Sequence, residues 1–265
     1  MIKITVLIDN TVGSGLLAEH GFSCFIEDAY SGTRWLFDTG ASGLFKGNAS
    51  KLGIDVNEVD GVILSHGHFD HGGGLSHVKG HRLICHPECF TGHFLGKDHS
   101  YIGLPMTHSE IKESFRLETA REPLHLTDRM WFLGQIPRVT DFESQTTPFV
   151  LADGTPDFVT DDSALAIVVE DGLFVLTGCG HSGVVNTLEY AKKVTGIDRI
   201  KGVMGGFHLK AVNKQTQLSI EYLQREKVDI VLPSHCTALP ALSSFWQVFK
   251  FEQVKTGTQV LVGEK

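Results

Sequence analysis

The stretch Ser65-His66-Gly67-His68-Phe69-Asp70-His71-Gly72-Gly73-Gly74 constrains this chain more than any other. Four metal-capable side chains, His66, His68, Asp70 and His71, fall within six residues. The run Gly61-Val62-Ile63-Leu64 before them has the β-branched character of a buried strand, and the glycines after them read as a loop feeding a helix. In extended chain His66 and His68 project to the same side, and a tight turn then carries Asp70 and His71 to a second position. Imidazole and carboxylate together suit a borderline divalent cation such as zinc, manganese or iron. The competing account is a polar loop rich in histidine by chance. The strand before and the glycines after supply the context a metal motif needs.

The pattern His66-x-His68-x-Asp70-His71 resembles the signature of the metallo-β-lactamase superfamily. That resemblance implies an α/β fold, a four-layer αββα sandwich of two facing sheets with helices outside. It also implies two divalent metal ions at one edge of the sandwich, zinc foremost, with manganese or iron as alternatives. The superfamily carries an Asp at the end of an earlier strand, and Asp38 matches it, closing the strand-like Thr33–Phe37 just before Thr39-Gly40. Read on its own, an Asp beside glycine is equally a turn residue. The resemblance gives it the role of orienting a metal ligand or the motif loop by hydrogen bonding.

Later ligands are expected on loops after strands. Three such loops each hold a histidine: His181 after Leu173–Thr177, His208 after Ile200–Met204, and His235 after Val228–Leu232. His235 and His181 match the superfamily's later ligands, whereas His208 stands open between ligand, substrate-contacting acid and structural residue. The implied arrangement places His66, His68 and His181 around one metal and Asp70, His71 and His235 around the other. A metal-bound hydroxide would attack the substrate, with Asp70 holding or receiving the proton. One departure stands out. Where many members end the corresponding strand with Gly-Asp, whose carboxylate bridges two metals, this chain has Gly178-Cys179. Cys179 is either a thiolate ligand or a small buried residue beside the site. The pair Asp161-Asp162 is either the replacement carboxylate or a solvated turn. Flanking glycines 178 and 180 favour the packing role for Cys179.

The 265 residues, 42% hydrophobic, suffice for one large domain over residues 1–265 with a sizeable core. The region ~88–127 mixes charged and apolar residues without sustained periodicity and reads as an insertion or lid over the metal edge. Beyond it, Arg138, Phe142 and Glu143 line a substrate pocket or form an exposed loop. Histidines 77, 81, 86, 93, 99 and 108 have no ligand spacing and read mostly as surface or loop side chains. A net charge of −8 with no basic stripe counts against a nucleic-acid partner, and no apolar run is long enough to span a membrane. Five scattered cysteines and an alternating first strand in place of a signal peptide point to reduced thiols and a cytoplasmic location.

At finer grain, Leu-Thr-Gly-Cys-Gly-His181-Ser-Gly, Gly-Gly-Phe-His208-Leu and Pro-Ser-His235-Cys-Thr resemble a subgroup of metal-dependent hydrolases. That subgroup includes an archaeal dihydropterin–ribofuranosylaminobenzene phosphate synthase. Three functions follow as expectations. The first is a hydrolase of a small-molecule ester, lactone, amide or phosphodiester. The second is a transferase of pterin (methanopterin-type) biosynthesis, and the third a non-catalytic metal-binding regulator. So many desolvated polar side chains would be costly for binding alone, which weighs against the third.

Overall fold

A computed structural model describes residues 1–263. The first half comprises strands β1 (Ile2–Ile8), β2 (Ser23–Asp28) and β3 (Thr33–Phe37), helix α1 (Leu44–Lys51), β4 (Gly61–Ile63) and the one-turn α2 (Phe69–Gly72). It continues with β5 (Arg82–Cys85), the two-residue β6 (Phe94–Leu95), α3 (His108–Ser114) and β7 (Arg116–Thr119). The second half holds β8 (Leu124–Thr127), β9 (Met130–Phe132), the short β10 (Phe149–Val150), β11 (Ala164–Val169) and β12 (Gly172–Thr177). Helix α4 (Val184–Thr195), β13 (Ile200–Gly206), α5 (Lys214–Arg225), β14 (Ile230–Ser234), α6 (Leu239–Phe249) and β15 (Gln259–Val262) complete it.

Local chemistry sets many of these boundaries. Thr107 and Glu110 form a reciprocal capping box at the start of α3, and Asn213 accepts from the Thr216 N–H at the start of α5. Helix α4 stops at Gly196, whose φ of +72° is the left-handed cap that glycine adopts without strain.

Among the described residues two large sheets form, one ordered β15-β1-β2-β3-β4-β5-β7 and the other β14-β13-β12-β11-β9-β8, beside a two-stranded ribbon of β10 and β6. Their inner faces share one buried cluster, in which Ile4, Trp35 and Phe37 of the first sheet meet Met130, Leu165 and Phe174 of the second. Each such side chain contributes roughly 1.5–3 kcal/mol when fully buried. On the outer face of the first sheet, Leu36 and Val62 lie under Phe45 and Ala49 of α1 and Ile111 of α3. On the outer face of the second, Ala166, Val175 and Val203 lie under Leu188 of α4, Leu223 of α5 and Phe245 of α6. The layers are therefore helix, sheet, sheet, helix. Strands β11 and β12 are covered on both faces, which explains why they read as continuous apolar runs.

The region expected as a lid is only partly a cover. Its β7 pairs in parallel with β5 as an edge of the first sheet, and its β8 pairs with β9 as an edge of the second. Ion pairs and turns around these short edge strands obscured their periodicity. The ribbon formed by β6 and β10 draws residues from outside that region over the site as well.

Candidate metal centre

Strand direction gathers the chemistry. Strands β3 and β4 run parallel, as do β12, β13 and β14, so their carboxyl ends lie at one edge of the sandwich. Those ends deliver Asp38, the Ser65–His71 loop, Gly178–His181, His208 and His235. Asp38, His208 and His235 each adopt a left-handed backbone, with φ of 57°, 49° and 48°. Such conformations in non-glycine residues cost on the order of 1–3 kcal/mol each and concentrate at functional sites.

Two groups of buried donor atoms form there. Asp70, His71, Cys179 and His235 make one, and His66, Cys179 and His181 the other, with the donor atoms of each group all within 4.8 Å of one another. Cys179 belongs to both. His68 stands beside them, its Nδ1 3.1 Å from His66 Nε2, but outside the two tight groups. His208 is also outside them; its ring lies 4.3 Å from that of His181 at the wall of the cavity. Asp162 belongs to neither group either. Its Oδ2 accepts the backbone N–H of Ser182, while Asp161 Oδ2 accepts that of Gly67. Both carboxylates are fully buried braces of loops, contrary to the solvated-turn account.

The hydrogen bonds around the donors determine which ring nitrogen carries each proton. Asp38 Oδ2 accepts from His71 Nδ1 and from Ser65 Oγ, both at 2.7 Å. Ser65 Oγ, its own proton committed to Asp38, accepts from His66 Nδ1 at 2.9 Å. Asn10 donates through Nδ2 to the His235 carbonyl, which turns its Oδ1 to His235 Nδ1 at 2.9 Å. In their neutral forms His66, His71 and His235 then present bare Nε2 lone pairs inward. Those of His71 and His235 face each other at 3.1 Å. His181 Nε2 and His68 Nε2 are buried with no hydrogen-bond partner. Opposed lone pairs and orphaned imidazole nitrogens in a protein interior are what a divalent cation satisfies, so the residues present fit a metal centre.

Electrostatics agree. Burial lowers the His68 pKa to about 3, helped by the neighbouring His93 ring, and burial likewise drives His66 and His181 well down. These rings are neutral and can donate a lone pair. His71 differs: burial opposes charge on it, but the carboxylates of Asp38 and Asp70 more than offset that and lift the ring to about 9, so with no cation bound it keeps a second proton on Nε2, which a metal would displace. Burial also opposes charge on Asp70, and His71 and His235 overcome that, holding its carboxyl below the usual range.

A cavity of about 420 Å³ opens onto the donors, lined by His20, Asp70, Cys179, His208 and Lys210 with Phe149 among its apolar walls. Phe149 packs on the rings of His68, His181 and His208. A second cavity of about 260 Å³ shares Phe149, His181, His208 and Lys210 and extends past Phe142 and Thr147. Of the three residues offered for a pocket, only Phe142 lines it. Arg138 holds the Phe158 carbonyl at 2.6 Å, and Glu143, fully buried, accepts the Val185 and Asn186 N–H groups at the start of α4.

Several neighbours carried no sequence signal. His20 Nε2 lies 3.2 Å from Asp70 Oδ2, and Asp9 accepts the His235 N–H. His86 and His93, expected at the surface, are buried, and His93 bonds Asp157 at 2.6 Å beside the His68 ring. All five cysteines are free and buried. Among the described residues, no helix is long and apolar enough to cross a membrane.

This fold and edge site define a recognised class. Residues 19–194 match the model of the metallo-beta-lactamase superfamily, and the chain belongs to that superfamily. A solved metal-dependent hydrolase of the beta-lactamase superfamily is 30% identical, superposes with a TM-score of 0.88, and covers 100% of both chains. An uncharacterized protein of Methanocaldococcus jannaschii is 34% identical over 95% of this chain and 96% of its own length. The 7,8-dihydropterin-6-methyl-4-(beta-D-ribofuranosyl)-aminobenzene-5'-phosphate synthase of the same organism is 33% identical, over 97% of this chain and 95% of its own.

Proposed function

We propose that this protein is a metal-dependent hydrolase of a small molecule, carrying two divalent ions, zinc by preference. The observation that carries this reading is the convergence of the buried donors of His66, His181, Cys179, Asp70, His71 and His235, of which Asp70, Cys179 and His181 line one cavity with His68 beside them. His66 and His181, with His68 beside them, would hold one ion, and Asp70, His71 and His235 the other. Bound divalent ions supply Lewis acidity and lower the pKa of water.

The chain's own groups handle substrate and protons. Asp70 lines the cavity, and its carboxylate would hold the proton given up by an attacking water. His20 Nε2, 3.2 Å away on a largely exposed ring, is the route from there to solvent. His208, whose charged form burial disfavours, stands at the cavity wall where its ring N–H can donate a hydrogen bond to the substrate. Lys210 lies on the wall common to both cavities, where it offers a cation to an anionic part of the substrate. Phe149 excludes water from the rings beneath it.

A second reading, a transferase joining a pterin to an aryl-amine phosphate, is favoured by one observation: near-full-length similarity to the archaeal synthase. One experiment separates the two. Protein reconstituted with zinc, manganese or iron is offered ester, lactone, amide and phosphodiester substrates, and in parallel a dihydropterin donor with an aryl-amine ribose phosphate. Hydrolysis products alone support the first reading. A condensed pterin product supports the second, and no turnover with any loaded metal overturns both. A cytoplasmic setting is part of the same proposal, in keeping with the buried free thiols.

A further inference from the structure

We infer that Cys179 is the donor common to both metal positions, a thiolate standing where the superfamily's usual bridging carboxylate would be. The inference rests on the metal-dependent reading above. Four observations carry it. First, Cys179 is the single residue belonging to both donor groups, and its Sγ lies 3.2 Å from His71 Nε2. Second, the group it forms with His66 contains His181 Nε2, which is nine-tenths buried or more and has no hydrogen-bond partner. Third, neither alternative carboxylate is in place: Asp161 and Asp162 lie outside both donor groups, each anchored through Oδ2 to the Gly67 or Ser182 N–H, although the Oδ1 of each is buried without a hydrogen-bond partner among the described residues.

The fourth concerns the glycines. A Cβ at residue 178 would stand 2.1 Å from Ser65 Oγ, and one at residue 206 would stand 2.6 Å from Cys236 Sγ and 3.0 Å from Cys179 Cα. Glycine at these two positions is what lets the Cys179 backbone press into the apex between the groups. The close approach that suggested mere packing is the means by which the sulfur reaches both. On coordination the thiol loses its proton to solvent and the sulfur lone pairs become the donors, with no change of oxidation state. A soft thiolate at the shared position favours zinc or another thiophilic ion over manganese.

The test is cobalt reconstitution. Protein stripped by a chelator is titrated with Co²⁺, following bound metal by elemental analysis and sulfur-to-cobalt charge transfer in the near ultraviolet. Wild-type protein is expected to bind two equivalents and to show the charge-transfer band. Cys179→Asp, which supplies the carboxylate usual in the superfamily, is expected to keep two equivalents, lose the band, and gain manganese relative to zinc in direct competition. Cys236→Ala is expected to keep the band. Cobalt bound by the wild type without a thiolate band would overturn the inference while leaving the metal-dependent reading standing. A band that survives in Cys179→Asp and vanishes in Cys236→Ala would overturn it in favour of the other thiol. Failure to bind any cobalt would bring down the metal-dependent reading and this inference together.

Discussion

Asp38 and Ser65 are joined twice, Ser65 N–H to Asp38 Oδ1 and Ser65 Oγ to Asp38 Oδ2, each at 2.7 Å. Because Oδ2 also accepts from His71 Nδ1, one buried carboxylate fixes the tautomers of His71 directly and of His66 through the serine. Asp38→Asn is therefore expected to weaken metal binding by ~10–100-fold, the scale known for such outer partners. The variant should still fold, because asparagine tolerates the left-handed backbone that residue 38 adopts. Competition against a chromophoric chelator measures the effect, and unchanged affinity would refute this role.

Gly178 sits against the same pair. In Gly178→Ala the new methyl group would meet Ser65 Oγ at 2.1 Å and Asp38 Oδ2 at 2.9 Å. Overpacking of that kind costs about 1–3 kcal/mol, and here it would also displace the groups that set the histidine tautomers. Gly47→Ala is the matched control, since a Cβ there meets nothing within 4 Å on helix α1. It is expected to be neutral or to stabilise by up to about 1 kcal/mol. Denaturant melts of the two variants check both signs.

His181→Ala and His235→Ala are each expected to lose bound metal, whereas His208→Ala keeps its metal and loses turnover. Elemental analysis after dialysis distinguishes them, and metal loss in His208→Ala would redraw the ligand set. Chelation of the wild type is expected to lower the melting temperature, since an ion at 100 times its dissociation constant adds about 2.7 kcal/mol to the folded state.

Glu143 gives a pH dependence with a definite sign. Burial raises its pKa from 4.5 to about 7, against the hydrogen bonds from Val185 and Asn186 that lower it. The folded protein thus keeps this proton at pH values where the unfolded chain has released it. The contribution is fully present below pH ~4.5 and is lost as pH rises through ~7, amounting to about 3 kcal/mol at most. Glu143→Gln should flatten that part of the stability profile between pH 5 and 7. An identical slope in wild type and variant, read from denaturant midpoints, would contradict the assignment.

The sequence by itself, through the resemblance that His66-x-His68-x-Asp70-His71 carries, implied the layers and the edge that bears the chemistry. Apolar runs such as Ala164–Val169 and Leu173–Leu176, joined by Asp171-Gly172, read as a hairpin of strands. A histidine after each parallel strand must emerge at the carboxyl edge, because strand direction leaves it nowhere else. Asp38, on its own equally a turn residue, was legible only through the resemblance to the superfamily's early Asp. Tertiary structure alone decided the rest. The two edge strands β7 and β8 owe their pairing to a sheet that already exists, so their own four-residue stretches carry little periodicity. Asn10 orients His235 from 225 positions away, His20 reaches Asp70, and Glu143 caps α4 in place of lining a pocket. The Gly178-Cys179-Gly180 loop, read locally, favours close packing over a ligand turn. Only when the two sheets close face to face does the sulfur arrive between His66 and His181 on one side and Asp70, His71 and His235 on the other. Local spacing encodes direction and period along one strand; which side chains share a volume of a few ångströms is set by long-range packing of both sheets, and no local pattern contains it.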